Sequence, residues 1–109
     1  MADVIFKVKE ITLKEGDCDI PFPAYVAVDR GLAALYRYGV WGVVHLRSGQ
    51  LLPNAAFTTQ LQVERFITEI VNVLDWRNGI EAIISFLDHD NIKSALIAAT
   101  KAAWEETAA

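Results

Sequence analysis

Two histidines, one cysteine and fourteen carboxylates carry most of the reactive potential of this 109-residue chain. A general base needs a group that orients it and a nucleophile within reach. His45 sits in an apolar stretch, 40–47, with no serine or cysteine in an elbow motif to pair with it. Its surroundings fit a half-buried strand residue first, and an acid/base or ligand-contacting group second. His89 lies between Asp88 and Asp90. Three consecutive side chains do not converge readily on one ion, so that run reads as a turn rather than a metal site. Cys18 is flanked by Asp17 and Asp19, whose field disfavours the reactive thiolate, and a lone cysteine makes no internal disulfide. The carboxylates are dispersed rather than paired. Neither phosphate-cradling glycine motif, Gly-x-Gly-x-x-Gly or Gly-x-x-x-x-Gly-Lys-Ser/Thr, occurs. The expectation is a non-enzymatic protein with no catalytic residue, metal or cofactor.

The distribution of charge says more than any motif. The chain is net −4, yet between Asp29 and Glu64 it holds no carboxylate, only Arg30, Arg37 and Arg47. Tyr36, Tyr38 and Trp41 fall in the same stretch. Arginine and aromatic residues are enriched where interfaces concentrate binding energy. Arginine also forks onto carboxylates and phosphates and stacks on bases. The candidate partner-binding set is therefore Arg30, Tyr36, Arg37, Tyr38, Trp41, His45 and Arg47. The competing reading pairs the arginines with the protein's own acidic helices and puts the rings in its core.

These residues are positioned by a strand-rich first half, 1–57, and a helical second half, 58–106, with 107–109 a frayed tail. Val4, Phe6 and Val8 alternate, then Ile11 and Leu13 continue out of phase, which predicts a bulge at Lys9 and Glu10. Pro21 and Pro23 predict an extended entry into a second strand over 24–28. Residues 29–39 read as a loop or short helical turn, since Leu32, Leu35 and Tyr36 have helical spacing between Gly31 and Gly39. A strand over 40–47 should turn at Ser48 and Gly49, placing Leu46 opposite Leu51, and end at Pro53 and Asn54. On it Trp41, Val43, His45 and Arg47 share one face. The helices are expected on the drier face of Val44, Leu46 and Leu51, leaving Trp41 and Arg47 open.

Thr59 with Gln62 forms a capping box, followed by a stripe of Val63, Phe66, Ile67, Ile70 and Leu74. Asn78 and Gly79 break that helix. Ile80, Ile83, Ile84 and Leu87 form a second stripe, and a third helix runs over 92–106. Strands followed by helices predict an α+β domain: a small antiparallel sheet of three to five strands, covered on one face by two to three helices.

Composition bounds the rest. The apolar fraction is 53%, which is hard for so short a chain to bury alone. A dimer or a partner is expected to cover some of it. No apolar run approaches the ~20 residues that span a bilayer, so no membrane role is expected. The start of the chain lacks a basic region and apolar core, so the cytoplasm is the expected compartment. The run of Trp41, His45, Ser48, Gly49, Phe57, Thr58, Thr59, Val63 and Phe66 resembles the strand–hairpin–helix unit of small DNA-binding domains. That resemblance implies DNA binding, but such domains are basic where they enter the groove and this chain is acidic. The leading expectation is a regulator, adaptor or inhibitor that docks onto a protein partner or onto itself as a homodimer, a class that phages and mobile elements encode. A nucleic-acid or anionic-ligand binder is the second reading, and a small enzyme or ligand pocket around His45 the third.

Overall fold

The fold is α+β, with the strands first. The structure is a computed structural model that describes residues 4–87 and 89–106. Five strands, β1 (Phe6–Glu15), β2 (Cys18–Ala27), β3 (Leu32–Arg37), β4 (Val40–His45) and β5 (Gln50–Phe57), precede α1 (Gln60–Ile70), α2 (Ile80–Leu87) and α3 (Asp90–Glu106). Each strand pairs antiparallel with the next, so the sheet is a meander in chain order. It curls: Lys14 N donates to Gly49 O at 2.9 Å, joining the end of β1 to the loop after β4. Gly49 (φ +72) is required at that crossing, because a Cβ there would lie 2.9 Å from Thr12 O.

Curling gives the sheet two apolar faces, and this overturns several expectations. One face joins Ala27, Leu32, Ala34, Val43 and Phe57 to the helices; the other gathers Leu13, Val26, Ala33, Leu35 and Val44, with Ile11 and Phe22 packed alongside. β1 and β2 pair without interruption from Phe6↔Ala27 to Glu15↔Cys18, so there is no bulge at Lys9 and Glu10. The change of phase is real but has another cause: Phe6 serves the helix side and Leu13 the inner side. Residues 29–39 are not a loop or helical turn. They contain β3, whose Leu32, Ala33, Ala34 and Leu35 are all buried. A central strand covered on both faces loses the alternation that identifies a strand. Its hairpin to β4 uses Tyr38 and Gly39, both left-handed (φ 54 and 80), which matches the twist of the flanking strands.

β2 begins at Cys18, so Pro21 and Pro23 lie within it rather than ahead of it. Val28 N donates to Ile5 O, and strand alternation then aims the even-numbered N–H groups of β2 at β1. The prolines fall on the other side, where no ladder bond to β1 is lost. Their effect appears between β2 and β3, which pair only from Tyr25↔Ala34 to Ala27↔Leu32. The next hydrogen-bonded rung, two residues on, would place Pro23, which has no N–H, opposite Tyr36. The two strands part there.

The β4–β5 loop spans four residues, 46–49, with His45 opposite Gln50 and Val44 opposite Leu51. Leu46 is therefore not opposite Leu51, and Arg47 is a loop residue rather than part of the strand. β5 continues through Pro53 and Asn54 with a register shift instead of ending there. The expected capping box is present, with Gln62 N donating to Thr59 Oγ1 at 3.1 Å and Gln62 Oε1 accepting from Thr59 N at 3.2 Å. Val63, Phe66, Ile67 and Ile70 are buried, and α1 packs against β3, β4, β5 and α3. The helix stops before Leu74, and the Trp76 indole donates to Ile70 O at 2.7 Å, sharing a carbonyl that also accepts from Val73 N at 3.0 Å. Ile83 is buried but Ile84 is exposed, so the second stripe is narrower than expected. The Ile80 and Leu87 side chains, Asp88 and the 107–109 tail lie outside the described residues. Among the described residues, no helix is long and apolar enough to cross a membrane.

Candidate functional site: an aromatic groove at the strand fork

β3 divides the arginine island. Its six residues extend about 20 Å. Arg30 and Arg47 lie in turns at one end with His45, while Tyr36, Arg37, Tyr38 and Trp41 lie at the other.

At the first end His45 is completely buried. Its Nε2 is 2.8 Å from Asn78 O and its Nδ1 is 2.8 Å from Ser48 Oγ. A carbonyl only accepts, so Nε2 carries a proton. The Ser48 hydroxyl also lies 3.3 Å from His45 O and accepts from Gln50 N at 3.2 Å. An imidazole and a hydroxyl in contact are the raw material of nucleophilic catalysis. Here both serve to hold the 46–49 loop against the segment before α2. Arg47 adds a bond of 3.3 Å to Arg77 O. Gly31 (φ +81) completes the contact, because a Cβ there would stand 2.6 Å from Trp76 O.

A cavity of about 380 Å³ opens at this end, lined by Asp29, Arg30, Asp75, Trp76 and Arg77 among others. Arg77 forks onto Asp75 at 2.8 and 3.0 Å. Those bonds hold the Asp75 carboxyl below its usual range and raise Arg77. Two aspartates balance two arginines in the lining, which gives the cavity no preference for an anion. His45 lines neither this cavity nor the one below. Among the described residues, no three His, Cys, Asp or Glu side chains converge on a common point.

At the second end the parting of β2 and β3 opens a groove of about 350 Å³, lined by Val8, Phe22, Pro23, Ala24, Tyr25, Leu35, Tyr36 and Trp41. The Trp41 ring is 5.8 Å from Tyr25 and 5.4 Å from Tyr36, tilted by 49° and 54°. Both Trp41 and Tyr25 rest on the helix-side core. The expected facing was thus reversed: Trp41, Val43 and His45 share the face that meets α1, because the Val44 side already has its own core. Tyr36 is 52% exposed and Tyr38 85%.

Arg37 forms an ion pair with Glu15, donates to the Tyr38 hydroxyl at 2.9 Å and stacks 4.6 Å from the Tyr38 ring. The hydrogen bond to Glu15 is the main reason its pKa is raised. It is an internal partner, though of a strand carboxylate rather than of the acidic helices.

The structure therefore joins Tyr36, Arg37, Tyr38 and Trp41 and separates Arg30, His45 and Arg47 from them. Val8, Phe22, Pro23 and Tyr25 were missing from the candidate set. The signal for them was the Pro21-x-Pro23 spacing inside a strand, which stops a ladder and leaves its flanking rings uncovered. No protein-family model, curated protein or solved structure matches the chain.

Proposed function

We propose that this chain is a non-enzymatic docking domain, acting as a regulator, adaptor or inhibitor, and that it engages a protein partner through the groove of Tyr25, Tyr36 and Trp41. In this reading the helices cover one face of the sheet, and the groove lies where that cover ends. One observation carries it: Trp41, in ring contact with both Tyr25 and Tyr36 and anchored with Tyr25 on the core, stands beside an apolar opening. Rigid rings of this kind bury large areas with little loss of side-chain freedom. Anion binding is the weaker reading, since Arg37 is already bonded to Glu15 and Arg30 and Arg47 lie at the far end. Catalysis at His45 is weaker still, because that ring is sealed from solvent.

A photo-crosslinking residue at Tyr38 tests the proposal in the native cell, with the same group at exposed Lys93 on α3 as control. A discrete adduct from position 38 alone, lost on Tyr36→Ala, is expected. Identical patterns from both positions would refute the assignment, and an adduct of twice the chain mass would identify the partner as a second copy.

A further inference from the structure

The walls of the groove select the kind of segment that fits it, an inference that rests on the docking reading above. None of the lining side chains is charged. The Trp41 indole N–H and the Tyr25 and Tyr36 hydroxyls have no hydrogen-bond partner among the described residues. The groove thus presents flat apolar rings together with free donors. Its best complement is a segment rich in unspent carbonyls and poor in N–H groups. An α-helix has spent its carbonyls internally, and an added strand needs donors as well as acceptors along the edge it joins, where Pro21 and Pro23 offer no N–H. A polyproline II segment has solvated, unbonded carbonyls, and each proline lacks an N–H.

Shape and charge agree. Trp41 touches both Tyr25 and Tyr36, at 5.8 and 5.4 Å between ring centres, so the three rings form a continuous apolar wall on which pyrrolidine rings can stack. Glu10, exposed and opposite Pro23 in the β1–β2 register, stands on the same face as Val8 at the groove's edge. A lysine or arginine flanking the proline run would meet it. The geometry points to a proline-rich polyproline II segment of a partner protein, with a basic residue at one end, as the occupant of the groove. Such a segment is already ordered in solution and loses little freedom on docking.

Titration of the ¹⁵N-labelled full chain with a lysine-capped probe of about ten prolines, which keeps the polyproline II form, tests this against a Gly-Ser probe of equal length. The Trp41 indole N–H resonance should shift saturably with the proline probe alone. The Trp76 indole, bonded to Ile70 O, should not move. Tyr36→Ala should weaken binding about thirtyfold, the loss of one hot-spot ring, with the fold intact. Trp41→Phe keeps a ring and removes the donor, and should weaken it about fivefold. No saturable shift up to about 1 mM probe, an equal shift with Gly-Ser, or undiminished binding by Tyr36→Ala would each overturn the inference. If the proline probe fails while the Tyr38 crosslink still captures a partner, the occupant is wrong and the docking reading stands. If both fail, both fall.

Discussion

Replacing His45 by leucine should destabilise the fold by about 2–4 kcal/mol, and the figure can be built from the contacts. Leucine is close enough in size to fill the buried site, so the change isolates hydrogen bonding from cavity formation. The bond to Ser48 Oγ, 2.8 Å long, is lost at a net ~1 kcal/mol, since that hydroxyl keeps His45 O and Gln50 N. The Asn78 carbonyl, 2.8 Å from Nε2, would be left facing an apolar group, at about 1–3 kcal/mol. For a chain of this length the sum lowers Tm by roughly 10–15 °C. Urea unfolding followed by far-ultraviolet circular dichroism, with tryptophan emission as a second probe, measures it. A cycle with Ser48→Ala should show coupling of about 0.5–1 kcal/mol between the two side chains. If His45→Leu stays within ~0.5 kcal/mol of the wild type, the ordinary range for surface changes, the imidazole does not lock the 46–49 loop. Its burial would then need another explanation.

Further outcomes follow from the packing. Gly31→Ala and Gly39→Ala both place a side chain at left-handed φ (+81 and +80), but only Gly31 faces the Trp76 backbone, so it should lose about 2 kcal/mol more than Gly39→Ala; equal losses would mean that the 76–77 segment is not docked there. Phe66→Ala removes a ring that is 3% exposed and 5.1 Å from Phe57, and should lose about 3–5 kcal/mol; an unchanged Tm would detach α1 from the core. Arg77 holds Asp75 below its ordinary value, so their pair stabilises the fold above about pH 4, and that contribution disappears as pH falls through the lowered value. Asp75→Asn should accordingly be less stable than the wild type near pH 7, with the difference shrinking as pH falls below about 4 in urea titrations; a gap that does not shrink in acid would assign the effect to something other than charge.

Local signals were readable in the sequence where one interaction decided the outcome. The Thr59–Gln62 capping box needs only four residues, and it sets the start of α1 whatever packs on it. The apolar stripe from Val63 to Ile70 likewise survives folding unchanged. β3 was hidden because its four apolar residues serve two cores, and because Tyr38 occupies a left-handed position that composition assigns to glycine or asparagine. The supposed bulge in β1 shows the same limit. A strand in a curled sheet can change the face it buries along its length, and its period then mimics an inserted residue. Choosing the drier face of β4 for the helices failed for that reason too, since Val44 was already claimed by the concave side.

The candidate site shows why proximity in sequence is a poor guide to a sheet surface. Arg30, Arg37 and Arg47 look like one island, yet a six-residue strand sets Arg37 about 20 Å from the turns that carry the other two. Strand alternation did bring Tyr36 and Trp41 together, because Arg37↔Val40 closes a two-residue hairpin and Tyr36↔Trp41 is the next pair. Tyr25 joins them from an earlier strand, through a register that no short window of sequence contains. What opens the space between them is chemical rather than electrostatic. Pro23 cannot donate to Tyr36, the ladder stops, and Tyr36 is left 52% exposed beside the gap. The partly exposed rings lie where the backbone itself lacks a donor, at a proline that a short window of sequence reads as the entry to a strand rather than its interior.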